Sequence, residues 1–249
     1  MEKLKGSVKC FTETTFKVDE NFTDSQKLIE NSKSIANYDE KGSLLEWKNI
    51  LNGHRRNCLV YDNTGLLKEI NNYDDEGILS STDFYKHDTK GKVIEIQTDG
   101  GFLKSKEVFI YDDQGHLIEK REHISDDAID SLFYKYNEDG DKIECVGELD
   151  PSMEGTTYVK FTYKYDLGRK LIEKNRELTN RDGSSYMTTW KYDKFENEIE
   201  EITYDVNGSL ETKISFQYEY DATGNWIKKI KLEKDKDNAI TKREIEYYS

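Results

Sequence analysis

The chain has 249 residues, with 51 Asp and Glu against 37 Lys and Arg, for a formal charge of −14. That balance repels phosphate backbones and anionic lipid surfaces, which excludes nucleic-acid binding as a first reading. Charged and hydrophobic residues each reach 35%, close to a disordered composition, but 12% aromatic content, including 17 tyrosines, supplies ring surface that disordered segments lack.

Much of the apolar burial must then come from tyrosine bodies, with their hydroxyls kept in water. The opening MEKLKGSVKCFTETTF lacks the apolar centre of a signal peptide, and no stretch approaches the roughly 18 apolar residues of a membrane span. A cytoplasmic protein and one whose leader was removed are both consistent with this. Val8 to Val18 (VKCFTETTFKV) predicts a strand, since β-branched and aromatic residues recur without helical spacing. Asp19 to Asp24 is polar enough to turn, and Lys27 to Tyr38 returns as a second strand, although LIENSKSIA has some helical character.

From Tyr38 onward one turn motif recurs. It reads YDEKG at Tyr38, YDNTG at Tyr61, YDDEG at Tyr73, HDTKG at His87, YDDQG at Tyr111 and YNEDG at Tyr136. It continues as YDLG at Tyr165, YDKFE at Tyr192, YDVNG at Tyr204 and YDATG at Tyr220. The clearest copy is YEYDATGNW, Tyr218 to Trp226, in which alternating tyrosines share a strand face and Asp221 opens a turn that Gly224 closes. Asp or Asn at the first turn position bonds the backbone two residues on, and Gly takes the left-handed conformation of a type I turn with a following bulge. Asp39 with Gly42, Asp62 with Gly65 and Asp112 with Gly115 play the same structural roles. Two copies depart: the Tyr165 turn reaches Gly168 one residue early, and Glu196 stands where Gly belongs after Tyr192, so that either Asn197 takes the left-handed role or Glu196 bears an uncommon backbone conformation.

Other turn signals lie between the motifs, at Asn52-Gly53, Asp99 to Gly101, Ser125 to Asp127, Asp150 to Gly155, Asn180 to Gly183 and Lys234 to Asn238. In an antiparallel meander alternate turns fall on opposite edges. One edge is therefore predicted to carry the motif turns at Tyr38, Tyr61, His87, Tyr111, Tyr136, Tyr165, Tyr192 and Tyr220, and the other the diverse loops together with the copies at Tyr73 and Tyr204. The fold class that follows is all-β: an antiparallel meander of hairpin repeats with about 18 strands, curled or superhelical because open twisted sheets rarely exceed about 10 strands. It reads as a single domain over 1–249, with a capping hairpin at 1–37, repeats at 38–233 and a capping strand at 234–249. The charged final strand, Lys242 to Tyr248, reads as a protected sheet edge on a mainly monomeric protein.

The period of about 25 residues carrying Y-x-Y-D-x-x-G-x-x-I-E resembles the YD repeats of the Rhs family, over Tyr38 to Tyr248. The opening LKGSVKCFTETTF and the closing GNWIKKI and TKREIEYY are similar to the ends of stand-alone YD-repeat proteins of Bacteroidetes. The resemblance implies β-hairpin repeats, a frequent extracytoplasmic location at the cell envelope, and binding or structural roles. The chain lacks the cleavage region and toxic C-terminal domain of large Rhs proteins, so toxin activity does not carry over.

Chemistry is not written in the residues. Cys10, Cys58 and Cys145 are far apart and read as small apolar strand residues; neither a disulfide nor a zinc site is indicated. His54, His87, His116 and His123 show no metal spacing, and four strand residues separate His54 from Cys58 by about 13 Å. Asn137 to Asp141 and Asp235 to Asn238 gather oxygen ligands but match no calcium hand, so no metal and no cofactor is expected. The expected function is a non-catalytic scaffold or binding module for a glycan or protein, with Trp47, Trp190 and Trp226 as candidate stacking platforms. The alternatives are a hydrolase with its site in the variable loops at Asp150 to Gly155 and Asn180 to Gly183, and an acidic immunity-type partner protein.

Overall fold

A computed structural model describes residues 4–18, 28–51, 55–101, 103–123, 129–148, 156–234 and 236–248. Its first strands are β1 (Val8–Val18), β2 (Leu28–Tyr38), β3 (Leu44–Asn49), β4 (Arg56–Tyr61), β5 (Leu67–Tyr73) and β6 (Leu79–His87). There follow β7 (Val93–Gly100), β8 (Leu103–Tyr111), β9 (Leu117–His123), β10 (Ile129–Tyr136), β11 (Lys142–Glu148) and β12 (Thr156–Tyr165). The last six are β13 (Leu171–Asn180), β14 (Ser185–Tyr192), β15 (Glu198–Tyr204), β16 (Leu210–Tyr220), β17 (Trp226–Glu233) and β18 (Lys236–Tyr247). The strand count matches the expected meander, and β2 is extended rather than helical, because its residues find partners on both β1 and β3.

Every motif turn joins an even strand to the next odd one, except those at Tyr73 and Tyr204, which join β5 to β6 and β15 to β16. The motif edge and the variable edge are therefore distinct, as the spacing predicts. Each motif turn uses the same bonds: at Tyr220, the Asp221 N–H donates to the Asn225 carbonyl (2.9 Å) and the Gly224 N–H to the Asp221 carbonyl (3.1 Å). The Asp221 carboxylate accepts from the N–H groups of Thr223 and Asn225, both at 2.9 Å. One residue pair into each hairpin the register slips, for example between Lys135 and Tyr136 on β10 and between Lys191 and Tyr192 on β14.

Two turns differ from expectation, and the structure decides a third. The Tyr165 turn is not shortened: Arg169 sits at φ 63° in the glycine position, and its N–H reaches the Asp166 carbonyl at 3.0 Å. After Tyr192 the second of the two alternatives holds: Glu196, at φ 65°, adopts the left-handed conformation in place of Asn197, because the hydrogen-bond frame fixes which residue must bend. Asn180 to Gly183, read as a variable loop, closes with the motif bonds (Asn180 N–H to Ser184 carbonyl, 2.8 Å). The turn regions at 52–53, 125–127 and 150–155 lie outside the described residues. Since glycine carries no penalty at positive φ, Glu196→Gly should raise stability by about 0.5–1 kcal/mol. Chemical denaturation checks this, and a lower midpoint for the variant would contradict it.

Four motif tyrosine hydroxyls are not left in water. Each of these reaches across to a backbone carbonyl on the strand after the preceding turn of the same edge: Tyr61 to Leu44 (2.8 Å), Tyr111 to Val93 (2.8 Å), Tyr136 to Leu117 (2.9 Å) and Tyr165 to Lys142 (2.9 Å). Burial pushes all four phenols above their usual pKa. A half-buried ring places its hydroxyl on a carbonyl of the neighbouring hairpin, so these repeat tyrosines are latches between hairpins as well as apolar filling.

The sheet is not open. β1 pairs with β2 along one side and with β18 along the other, from Cys10↔Glu246 to Lys17↔Ala239, and β9 joins β10. The eighteen strands thus form one antiparallel sheet whose first and last members meet, the topology of a β-barrel. The expectation of a curled or superhelical sheet with capped ends is corrected here. The final strand is no edge, since β17 and β1 occupy both its sides. Closure removes two long rows of unpaired backbone groups that an open sheet would expose.

Contacts divide the chain into two compact units: Met1–Phe84, Asp99–Leu103 and Phe216–Ser249 form one, and Tyr85–Thr98 and Lys104–Ser215 the other. In the first, Phe11, Ala36, Trp226 and Ile240 are buried. Arg243 lies over the Trp226 ring at 3.4 Å and the Phe11 ring at 5.3 Å while its Nε donates to Glu13 at 2.8 Å. Buried Asn225 clamps Lys5, its Oδ1 accepting from the Lys5 N–H (2.7 Å) and its Nδ2 donating to the Lys5 carbonyl (2.8 Å). In the second unit Cys145, Val159 and Thr188 are buried.

The Glu of each repeat is not merely solvated. Glu144 takes Lys135 and Lys160, Glu200 takes Lys191 and Lys213, and Glu173 takes Lys164, at 2.5–3.0 Å. Hydrogen bonds from Lys135, Lys191 and Lys164 hold these carboxyls below their usual pKa. A depressed folded-state pKa contributes stability above the unfolded value of about 4.3, which is lost as pH falls through the folded one. Melting temperature should hold steady from neutral pH down to about 5.5 and drop steeply below about 4.5; a melt at pH 3.5 equal to that at pH 7 would contradict this.

Candidate groove beside Trp47

Antiparallel register carries one strand face from β2 to β6: Ala36 opposes Trp47, Trp47 opposes Asn57, Asn57 opposes Asn72, and Asn72 opposes Ser81. The row passes from apolar to amide and hydroxyl within five strands. Over it opens a groove of about 610 Å³, lined by Trp47, Asn49, Asn57, Asn72 and Ser81 together with the charged side chains of Arg55 and Asp74. Asn57 Nδ2 donates to Asn72 Oδ1, and Asn72 Nδ2 reaches both Ser81 Oγ (3.0 Å) and Asp83 Oδ2 (3.1 Å). Among the described residues that chain spends both N–H groups of Asn72 but only one of Asn57's, so Asn57 keeps a donor and its carbonyl oxygen for a ligand.

Beneath the groove, on the opposite face, Glu46 is bonded by Lys48, Arg56 and Asn37. Burial pushes its carboxyl up, and those three donors more than offset this, leaving its pKa lowered. The β3 backbone that carries Trp47 is thereby tied to its neighbours on both sides.

The three tryptophans sit in different surroundings. Trp47 is half-buried and lines the groove. Trp190, also half-buried, has Lys174 at 4.9 Å and Arg176 at 5.3 Å from its ring. Trp226 is 7% exposed, with Arg243 on one face and Tyr218 edge-on at 6.0 Å. The structure does not bring them together on one strand row. The turn residues Asp39, Gly42, Asp62, Gly65, Asp112, Gly115, Asp221 and Gly224 occupy the hydrogen-bonded turns described above. In the Asn137 to Asp141 turn, the Asp141 carboxylate is taken by Arg169 (2.6 Å) and Asn137 Oδ1 accepts from the Asp141 N–H (2.8 Å). Asn57, Asn72 and Ser81 were not singled out from the sequence, where they read as ordinary polar strand residues; the available signal was the Asn in each of three neighbouring strands.

No family model and no curated protein matches the chain. Among solved structures it is similar to a porin-like protein from Bacteroides uniformis, at 10% identity and a TM-score of 0.50, with 98% of each chain covered. A porin-like protein from Bacteroides vulgatus matches at 13% identity and a TM-score of 0.43, over 98% of this chain and 99% of that one. TcdB2-TccC3 without its hypervariable C-terminal region matches at 15% identity and a TM-score of 0.37, over 95% of this chain and 16% of that one. The first likeness shows the fold alone, an all-β antiparallel sheet of similar extent.

Proposed function

We propose that this chain is a non-catalytic envelope protein, a barrel of YD-type hairpin repeats that binds a neutral glycan in the Trp47 groove. The groove's lining carries the reading. An indole offers a flat apolar face to the C–H surface of a sugar ring, and amides that both donate and accept match adjacent hydroxyls, while the two charged residues of the lining, Arg55 and Asp74, are of opposite sign and sum to no net charge. The reading leaves Trp226 to the core, since its ring is covered by Arg243. The fold shared with a porin-like Bacteroides protein and the YD-type turns support an envelope location.

Both strand faces of β10 to β15 carry charge, one as the Lys135–Glu144–Lys160 and Lys191–Glu200–Lys213 ladders and the other with Lys142, Lys174 and Arg176. A lipid-facing barrel alternates an apolar outer residue with a polar inner one. These strands do not, so the proposed barrel faces water. Titration of the protein with neutral envelope-type oligosaccharides, followed by calorimetry, tests the function. Trp47→Ala should weaken binding about tenfold while Trp190→Phe leaves it unchanged. Retained affinity in a folded Trp47→Ala variant would overturn the reading.

A further inference from the structure

We propose that the aromatic face of β10 to β14 is a second ligand site, at which Lys142, Lys174 and Arg176 receive an oxyanion, a carboxylate or a phosphate. It is independent of the Trp47 groove and lies within the other compact unit.

The contrast between the two faces of these strands points to it. On one face every repeat lysine has its glutamate, as in the ladders through Glu144, Glu173 and Glu200. On the other, the cations lie over rings instead. Lys142 Nζ is 4.4 Å from the Tyr163 ring and 5.6 Å from that of Tyr134. Lys174 Nζ is 4.7 Å from Phe161 and 4.9 Å from Trp190, and the Arg176 guanidinium is 5.3 Å from Trp190. Among the described residues neither ammonium has an ion pair or a hydrogen bond. Arg176 donates to Thr188 Oγ1 at 3.1 Å, while its Nε is buried and has no partner.

Register makes these three cations neighbours, since Tyr163 opposes Lys174 and Phe161 opposes Arg176, with Lys142 over the same Tyr163 ring. Three half-buried positive charges repel one another and have lost part of their water, and the Glu198 carboxylate, whose charge acts the other way on Lys174, only partly offsets this. Burial, and then Lys142 and Arg176, push the Lys174 pKa down, and burial does the same to Lys142. In a chain of net charge −14, a grouping of this kind is not the by-product of a basic surface. A bound oxyanion relieves the repulsion, supplies the acceptor that the Arg176 Nε lacks, and can rest its body on the Trp190 and Tyr163 rings.

Calorimetry with sodium galacturonate, inorganic phosphate and neutral galactose tests this. Galacturonate or phosphate should bind, more weakly as salt is raised, and galactose should not bind at this face. Tighter binding of galacturonate assigns a sugar carboxylate as the ligand chemistry, and tighter binding of phosphate assigns a phosphate. Lys142→Gln with Lys174→Gln should weaken the anion about tenfold or more, while Lys213→Gln, from the paired face, should not. Acetic anhydride labelling of the unmodified protein is the second readout: either anion should slow acetylation of Lys142 and Lys174 several-fold and leave Lys213 unaffected. The proposal fails if neither anion binds, or if an anion binds while labelling of Lys142 and Lys174 is unchanged.

Discussion

Deletion of residues 242–249 should abolish the cooperative thermal transition. The segment holds half of β18 (Lys236–Tyr247), and it supplies the pairing with β1 from Thr14↔Lys242 to Val8↔Tyr247 as well as the Lys228↔Lys242 pair with β17. Its removal strips most of the β1 ladder, the one that closes the sheet, and shortens the β17 ladder. It also removes Arg243 from between Trp226 and Phe11, leaving Glu13 without its partner, and it takes away the Tyr247 hydroxyl that accepts from Asn225 at 2.8 Å and the Tyr248 hydroxyl on the Tyr38 carbonyl at 2.7 Å. Losing the charge-assisted hydrogen bond to the partly exposed Glu13 costs about 1.5–3 kcal/mol, against a total stability of about 5–15 kcal/mol for a domain. The loss of strand pairing comes on top. Circular dichroism melts of the full and shortened chains decide the matter: a shortened chain melting within a few degrees of the parent would mean that β18 is dispensable and the ring of pairings is not what holds the fold. Light scattering on the full chain should show a monomer, since the terminal strands that might have joined copies are already joined to each other.

What the sequence reveals and what it hides divide along a physical line. Turn chemistry is local, so Asp221 and Gly224 announce a bulged type I turn by themselves, and counting such turns yields the strand number and the two edges. Closure is a long-range property. Nothing in Val8 to Val18 or Lys236 to Tyr247 states that they are partners, because their pairing depends on summed twist over all intervening strands. The charges on Lys242, Arg243, Glu244 and Glu246 suggested an edge, yet Arg243 is inserted between rings, a placement that only the partner strands make favourable. The left-handed Arg169 was hidden, and Glu196 left open, for a related reason. Residue type argues against positive φ there, and the hydrogen bonds Asp166 N–H to Lys170 carbonyl and Asp193 N–H to Asn197 carbonyl impose it, both at 2.9 Å. At the candidate groove Trp47 was legible as a ring, but its polar companions come from three other strands and became a group only once the register was known.

Glycine positions with the same backbone and different neighbours allow the turn model to be tested against itself. Gly65 and Gly115 both sit at φ 87°, so a β-branched residue is strained equally at each, by about 1–3 kcal/mol. Around Gly65 an added Cβ would meet nothing within 4 Å, whereas at Gly115 it would lie 1.9 Å from Lys92 Nζ. That ammonium donates to the Gly115 carbonyl at 2.6 Å and lies 5.0 Å from the Tyr111 ring, so Val at 115 must also displace the link between the His87 and Tyr111 turns. Gly115→Val should therefore be the more destabilising by about 1–2 kcal/mol, the value of a charge-assisted hydrogen bond together with a cation–ring contact. Removing the obstacle should erase the difference: in a Lys92→Ala background, Val at 115 should cost no more than Val at 65. Urea denaturation of the four variants and their backgrounds measures both terms. Equal losses for Gly65→Val and Gly115→Val in the parent would show that Lys92 is not part of the turn-to-turn link, and no loss at either would remove the left-handed glycine from the account of how this chain folds.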